Sequence, residues 1–269
     1  MSAIQMKIEK VTPAKAATFL KGNDSNRTIR KNAVKRYARD MKAGNWLESG
    51  DPIRFNGDGT LLDGQHRLSA IIESGMPQKM IVIRGLSKAS MLAMDTGAKR
   101  TFSDVLKLQG FKNTNLTASA IRWCVLYEDP ERKVCFDQAT NSEMMNWLEQ
   151  NPEITDCVNM VGANNNPIIK KIRTPLSAIR IYAKNNHDWD LFVAKLASGL
   201  ELSEGDPIHT LRRYIENISI STHKPLPIIM HACVVKAWNA YMNGGSIRVL
   251  TFRAGGSAPE EFPTIVTGA

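Results

Sequence analysis

The chain has 269 residues, of which 43% are hydrophobic and 23% are charged. This is the composition of an ordinary globular protein, so it excludes the disordered, collagen-like and disulfide-scaffold classes. An excess of Lys and Arg (35) over Asp and Glu (26) gives a formal net charge of +9. That charge favours a polyanionic partner such as a nucleotide, a nucleic acid or a phosphate ester, without choosing among them.

No apolar run in the sequence reaches the roughly 18–20 residues that a membrane-spanning helix requires. The first residues lack the apolar segment of a secretory signal, and the four cysteines show no CxxC spacing. We therefore expect a cytoplasmic chain with reduced thiols, no membrane partner and no metal held by cysteine.

The first hundred residues alternate between strand and helix patterns. Residues 4–11 alternate apolar and polar side chains as a half-buried strand does, and 28–43 place apolar side chains on one helical face. Two short apolar runs around 56–59, Asn-Gly-Asp-Gly, predict a β-hairpin. A helix that starts after Gly64 and ends at Gly75 and a β-branched strand at 79–84 complete an α/β unit.

From residue 101 onward the pattern is helical almost throughout. The fold class predicted is α+β, with an N-terminal α/β domain in 1–105 and a helical domain in 106–269 that ends in a strand at 247–252 and a loop. The predicted helices after residue 100 are 101–109, 115–127, 141–150, 174–185, 188–198, 207–219 and 226–242.

Two segments concentrate positive charge. A solvated cationic helix face is the default interpretation of 28–43, and a surface for DNA phosphates is the alternative. The expected DNA contacts in the first segment are Arg27, Arg30, Lys31 and Lys35, and the second segment contains Lys170, Lys171, Arg173 and Arg180.

The segment 57–70, GDGTLLDGQHRLSA, carries the strongest functional signal. It predicts a strand, a sharp turn at Gly64 and a helix with Gln65, His66 and Arg67 in its first turn. Unpaired N–H groups and the positive end of the helix dipole attract an anion, and Gly64 lets a phosphate approach. Arg67 can clamp phosphate oxygens, and His66 can transfer a proton near neutral pH.

A purely structural interpretation of the same segment stays open, in which Asp63 caps the helix and Arg67 serves as an ion-pair partner. Asp95 and Arg100 belong to a second group of candidates that follow the strand at 79–84. Asp95 can hold Mg²⁺ or cap a helix, and Asp58 and Asp63 compete for the metal. Arg54 and Arg84, at strand ends, are either phosphate contacts or exposed side chains.

The segment resembles the DGQHR motif of ParB/sulfiredoxin-fold proteins, particularly the phage-encoded ParB-like proteins and the DndB-type DGQHR proteins. The resemblance covers about residues 3–105 through Asn26-Arg27, Tyr37–Met41, Gly44–Trp46 and Asp95–Gly97 with Arg100-Thr101. The helical half and the ending, Phe252–Gly256 with Glu261–Pro263, are similar to the phage-type subgroup.

The resemblance implies nucleotide phosphate bound at the turn, because the fold binds CTP in partitioning proteins and ATP in sulfiredoxin and houses serine kinases. Sulfiredoxin chemistry requires a cysteine where this chain has Gln65, so that activity is excluded. Partitioning proteins usually carry Glu-Arg-Arg where Gln65-His66-Arg67 stands here. DndB-type proteins are associated with the regulation of DNA modification genes, which keeps DNA binding open.

The main hypothesis is a Mg²⁺-dependent enzyme that binds a nucleoside triphosphate, CTP or ATP, and performs phosphoryl transfer or hydrolysis linked to DNA metabolism. Its catalytic residues are His66, Asp63 and Asp95, its phosphate-binding residues Gly64, Gln65, His66, Arg67 and Arg100, and its metal ligands Asp63 and Asp95. The alternatives are a DNA-binding regulatory module and a metal-dependent nuclease. The expected partners are a nucleotide, DNA and a second copy of the chain, in the cytoplasm of a phage-infected or prophage-bearing bacterium.

Overall fold

The structure is a computed structural model that describes residues 3–23, 26, 28–93, 100–129, 139–183, 186–220 and 226–267. The chain forms two compact units. Unit 1 contains Met1–Lys99 with Gln138–Glu143, and unit 2 contains Arg100–Asp137 with Met144–Ala269. The predicted division at 105/106 therefore lies six residues from the first unit boundary, at 99/100.

Unit 1 is built on a four-stranded sheet with the order β1-β4-β2-β3. The strands are β1 Gln5–Val11, β2 Ile53–Asn56, β3 Leu61–Asp63 and β4 Gln78–Leu86. β4 is antiparallel to β1 and parallel to β2, whereas β2 and β3 form the predicted antiparallel hairpin. The parallel pair requires a crossover, which a helix between β3 and β4 supplies.

Three helices accompany the sheet of unit 1: α1 Pro13–Leu20, α2 Lys31–Lys42 and α3 Gln65–Ser74. The apolar positions of α2 and α3 recur at helical spacing, and their buried side chains include Val34 and Met41 of α2 and Leu68 of α3. These side chains share one core with Ile53 of β2 and Val82 of β4. Burial of this core fixes α3 against β2, because Ile53 and Leu68 are both inaccessible to solvent.

The expectation that β1 is half-buried is wrong. Ile4, Met6 and Ile8 are 66%, 69% and 73% exposed, and only Val11 of the strand is buried. β1 is an edge strand, and β4 is its neighbour in the sheet. The alternation of apolar and polar side chains therefore indicates a pleated strand, but no other described element covers its apolar face.

After β4 the described chain is helical, beginning with a short 3₁₀ helix at Lys88–Ala93. Proline or glycine punctuates several of the boundaries, such as Pro207 at the start of one helix and Gly244 just after another. The helices are α4 Phe102–Leu108, α5 Thr114–Glu128, α6 Asn141–Gln150, α7 Ile154–Ala163, α8 Pro167–Lys171, α9 Arg173–Tyr182, α10 Asn186–Ser198, α11 Pro207–Ile220 and α12 Pro227–Met242.

The fold class α+β is confirmed, with 56% helix, 10% strand and a helical remainder after the sheet. Two details of the prediction are wrong. The predicted helices do not include α7 and α8, and the segment predicted as a strand at 247–252 is irregular. Leu250 and Phe252 are nevertheless buried, so the apolar pattern reflects packing. In the described chain all four strands belong to the sheet of unit 1, which leaves this segment without a strand to pair with.

Candidate functional site

The turn from β3 into α3 is shaped by Gly64. Its φ of +109° and ψ of 4° lie outside the regions that side-chain-bearing residues favour. A Cβ atom at this position would lie 2.5 Å from Cδ1 and 3.3 Å from Cα of Ile53. The fold itself therefore demands glycine here, which is a different reason from the close approach of a phosphate that the sequence suggested.

Asp63, at the end of β3, joins two arginines. Its Oδ2 accepts hydrogen bonds from Nη1 of Arg54 on β2 at 2.5 Å and from Nη2 of Arg67 on α3 at 2.9 Å. Arg54 and Asp63 are cross-strand partners, and Arg67 follows Asp63 by one helical turn. The carboxylate therefore holds two guanidinium groups beside the amino end of α3, and it is not the cap of that helix.

The amino end of α3 has no side-chain cap. Gly64 is the N-cap residue, no side chain bonds back to the first turn, and the first turn contains no acidic residue. The first hydrogen bond of the helix runs from the Leu68 N–H to the Gly64 carbonyl, 3.0 Å. The N–H groups of the preceding residues have no carbonyl within the helix to bond to, and they add to the positive potential of the two arginines.

The side chain of Gln65 is structural. It is 4% exposed, and its Oε1 accepts a hydrogen bond from Nδ2 of Asn23 at 3.1 Å. Asn26 extends the network, because its Nδ2 lies 2.7 Å from both Oδ1 of Asn23 and the carbonyl oxygen of Leu61. Because the side-chain amide is buried and bonded to Asn23, the predicted phosphate contact of Gln65 would be made by its backbone N–H.

His66 and Arg67 contact different partners. Nε2 of His66 accepts a hydrogen bond from the backbone N–H of Arg30 at 3.0 Å, directly before α2. The neutral tautomer that fits this bond carries its proton on Nδ1. The two side chains occupy successive helix positions, about 100° apart around the axis. His66 therefore links α3 to the start of α2, whereas Arg67 faces Asp63.

The basic residues of α2 divide into exposed and paired ones. Arg30, Lys31 and Lys35 are exposed, as the DNA-binding hypothesis requires. Nε of Arg39 instead donates to Oε1 of Glu143 at 3.0 Å. A cavity of about 420 Å³ between α2 and α3 is lined by Lys31 and Lys35 together with Ile29, Val34, Ser69, Ile72 and Glu73, and by none of residues 64–67.

The remaining predicted site residues are dispersed. Asp58 is exposed at the turn of the hairpin, at the opposite end of β3 from Asp63. Arg84 binds Glu9 with both terminal nitrogens, at 2.5 and 3.3 Å, and its side chain is 39% exposed. Arg100 is exposed and belongs to unit 2. Asp95 and Arg27 lie outside the described residues.

The fit of a magnesium ion to Asp63 is poor, because two guanidinium groups already neutralise its carboxylate. Across the residues that the structure describes, no group of three or more His, Cys, Asp or Glu side chains is arranged to hold a metal ion. The same part of the chain contains no helix long and apolar enough to cross a membrane. The described cysteines, Cys124, Cys157 and Cys233, are free thiols.

Asn23 is a site residue that the sequence did not assign, and Arg54 is one that the sequence left open between a phosphate contact and an exposed side chain. Arg54 reaches the site through the register of the β2–β3 hairpin, and Asn23 through the loop after α1. The chain matches no protein-family model and no curated protein sequence.

Proposed function

We propose that unit 1 binds a nucleoside triphosphate at the turn Gly64–Arg67, as the resemblance to DGQHR proteins of the ParB/sulfiredoxin fold suggests. The observation that carries the proposal is the uncapped amino end of α3 beside two arginines that share one carboxylate. Backbone N–H groups and an arginine fork together form a recurrent way of holding phosphate oxygens.

Arg67 is the principal phosphate ligand in this proposal. Its side chain is 12% exposed, and Nη2 supplies the bond to Asp63. A guanidinium group has five N–H donors, so others remain for the ligand. Asp63 is a positioning residue that fixes the arginine fork, rather than a ligand of Mg²⁺. The magnesium ion enters with the nucleotide, bound by phosphate oxygens and water.

The reaction we propose is transfer of the terminal phosphoryl group to water, a small metabolite or a base in DNA. Such reactions depend mainly on positioning and on neutralisation of charge, which backbone amides and Arg67 can provide. His66 can act as the proton acceptor only after Nε2 exchanges the Arg30 N–H for the nucleophile. Nucleotide binding is therefore expected to separate the start of α2 from His66.

Equilibrium dialysis with ATP, CTP, GTP and UTP, each with and without Mg²⁺, tests the binding. Arg67→Lys keeps the charge but loses the fork, and we expect it to weaken binding about tenfold. Lys42→Ala, at the exposed end of α2, is the matched control and should bind like the natural chain. Absence of binding for all four nucleotides, or equal affinities for Arg67→Lys and the natural chain, contradicts the proposal.

The catalytic step has a separate test. Phosphate release with each bound nucleotide should fall in His66→Gln while the dissociation constant changes little, because the backbone donors remain. His66→Asn is the second variant. The side-chain amide of either Gln or Asn can accept the hydrogen bond from the Arg30 N–H that Nε2 of His66 accepts in the natural chain. Binding without any phosphate release or transfer would reduce the proposal to a nucleotide-binding module.

DNA binding is the second candidate, and the exposed side chains of Arg30, Lys31 and Lys35 favour it. Affinity should fall steeply with salt, and Lys31→Ala/Lys35→Ala should lower the slope of log K against log salt by about 0.9 for each phosphate that is no longer neutralised. Lys10→Ala, exposed on β1, is the control. No gel shift at low salt excludes this candidate. The nuclease alternative has no comparable support, because Asp58 and Asp63 lie at opposite ends of β3.

The setting we propose is the cytoplasm of a phage-infected or prophage-bearing bacterium, which follows from the resemblance alone. A second copy of the chain stays a predicted partner. Sedimentation at several protein concentrations measures the oligomeric state directly.

A further inference from the structure

Two cavities adjoin in unit 2. One has a volume of about 610 Å³ and is lined by aromatic side chains of α5, α12 and the C-terminal segment. The other has a volume of about 540 Å³ and is lined by the start of α5, the end of α8 and the start of α9. Thr174 and Met230 line both, so the two cavities form one continuous concave surface. Each volume lies in the range of small-ligand sites.

The first cavity is lined by aromatic side chains that pack on one another. The rings of Trp123 and Tyr127 stack with centroids 4.9 Å apart and an interplanar angle of 9°. Phe262 and His231 meet the Trp123 ring edge-on, at 5.8 and 6.0 Å. Desolvation lowers the pKa of His231 to about 4, so the imidazole is neutral at pH 7. Arg122 is the one charged side chain among the described residues that line this cavity, so the cavity suits a planar group of low charge.

The second cavity is lined by the amino ends of two helices and by basic side chains. Residues of the first turns of α5, Thr114–Leu116, and of α9, Arg173–Pro175, line it. Neither helix has a side-chain cap or an acidic residue in its first turn. The positive dipole ends of α5 and α9 and the negative dipole end of the shorter α8 thus meet at this cavity. An anion there would be held mainly by basic side chains, with the amino ends of α5 and α9 contributing.

Lysine and arginine side chains add to this potential. Lys170 and Lys171, at the end of α8, line the second cavity and are exposed. Arg173 is held in place because its Nη2 donates to the carbonyl oxygens of Gly162 and Asn164, at 2.8 and 2.7 Å. Its Nε is buried and has no hydrogen-bond partner among the described residues. No Asp or Glu is among the described residues that line this cavity.

Three of the four residues in the second basic segment of the sequence therefore lie at one cavity. The fourth, Arg180, instead packs over the ring of Trp189, with its guanidinium carbon 5.0 Å from the ring centroid. Three cationic side chains and two helix amino ends supply more positive charge than a single carboxylate would neutralise. They match the charge of a phosphate group with more than one negative charge.

We propose that unit 2 contains a second ligand site that takes a nucleoside phosphate, with the base in the aromatic cavity and the phosphate at the starts of α5 and α9. The ligand is either a free nucleotide or one nucleotide of a single strand, because both present the same base and phosphate. Base stacking tolerates different bases, so we expect weak discrimination among them. This site is separate from the turn Gly64–Arg67 and does not depend on it.

The test is calorimetric titration of the full-length protein with AMP, ATP and a 12-residue oligothymidylate. Lys170→Ala/Lys171→Ala should weaken binding of at least one probe by about tenfold or more. Phe262→Ala should weaken it by roughly 5- to 150-fold, the range that loss of a stacked base produces. Lys107→Ala, exposed on α4 and lining neither cavity, should bind as the natural chain does.

Two further arms identify the source of the ligand and separate the two sites. Binding of ATP or AMP that depends on Lys170 and Lys171 supports a free nucleotide, and such binding of the oligonucleotide alone supports a strand. Arg67→Ala should leave this site intact, whether or not the site in unit 1 exists. Phe262→Leu checks that loss of binding in Phe262→Ala is not loss of structure.

The proposal is overturned if the lysine and phenylalanine variants bind all three probes as the natural chain does. It is also overturned if dodecanoate binds in the aromatic cavity while none of the nucleotide probes does, since that result would assign an aliphatic acid to the site.

Discussion

Gly64→Ala tests the geometry on which the phosphate-binding turn depends. The backbone at φ +109° is unfavourable for alanine and should cost about 1–3 kcal/mol of unfolding free energy. The new Cβ would also lie 2.5 Å from Cδ1 of Ile53, whose side chain is fully buried and has little room to move. Overpacking of this kind costs a further 1–3 kcal/mol, roughly. The total destabilisation expected is therefore about 2–6 kcal/mol.

Gly75→Ala is the matched control, because Gly75 has a φ of +71° and no atom within 4 Å of a Cβ. It should cost only about 1–2 kcal/mol. Ile53→Val removes the clashing Cδ1 and should itself cost about 0.5–1.5 kcal/mol. Adding it to Gly64→Ala should recover part of the overpacking penalty. The recovery stays incomplete because the new Cβ would still lie 3.3 Å from the backbone of residue 53.

The assay is hydrogen exchange of peptides from 53–74 as a function of urea, which reports the stability of unit 1. Equal destabilisation by Gly64→Ala and Gly75→Ala would show that the close approach to Ile53 carries no energy. Simple addition of the Gly64 and Ile53 effects in the double variant would show the same.

Three other substitutions or conditions test separate parts of the structure. Asp63→Asn should destabilise unit 1 by about 2 kcal/mol in urea, because it weakens two charge-assisted hydrogen bonds, whereas Asp58→Asn should change stability by less than about 0.5 kcal/mol. Desolvation lowers the pKa of His231 to about 4 in the folded chain, so as the pH falls the unfolded chain takes up a proton at this residue before the folded chain does. The free energy of unfolding should therefore fall between about pH 6.5 and pH 4. Between pH 7 and 5 the loss should approach about 2 kcal/mol, and it should be absent in His231→Phe. Burial raises the pKa of the Cys157 thiol to about 11. The rate of its alkylation, measured by mass spectrometry, should therefore be low at pH 8 and rise about tenfold per pH unit up to pH 10. Fast alkylation at pH 7 would contradict this prediction.

Much of unit 1 could be predicted because each of its elements has a local signal. The hairpin has the turn residues Asn56–Gly59, and α3 ends at Gly75 with a φ of +71° as the sequence indicates. The prediction of a strand at 247–252 is wrong because alternation of apolar residues does not reveal whether another strand lies beside them. α7 escapes prediction because its helical pattern lies between proline and asparagine clusters that favour loops.

The candidate site was only partly predictable. The motif indicated a turn with Gly64 and Arg67 at the start of a helix, since those features are local in sequence. The pairing of Arg54 with Asp63 depends on strand register, and the bond from the Arg30 N–H to His66 depends on the packing of α2. The two cavities of unit 2 combine residues from 113 to 262, so the basic segment with Lys170, Lys171 and Arg173 was the part of their lining that a local pattern indicated.

An amide NMR titration of the isotope-labelled chain with ATP and CTP in the presence of Mg²⁺ measures whether the turn Gly64–Arg67 binds a nucleotide. The N–H resonances of Gln65, His66 and Arg67 should shift together and saturate at one nucleotide concentration, with Gly75 unaffected. Unchanged resonances at these three residues, while the nucleotide saturates a site elsewhere such as the start of α5, would contradict the proposed function.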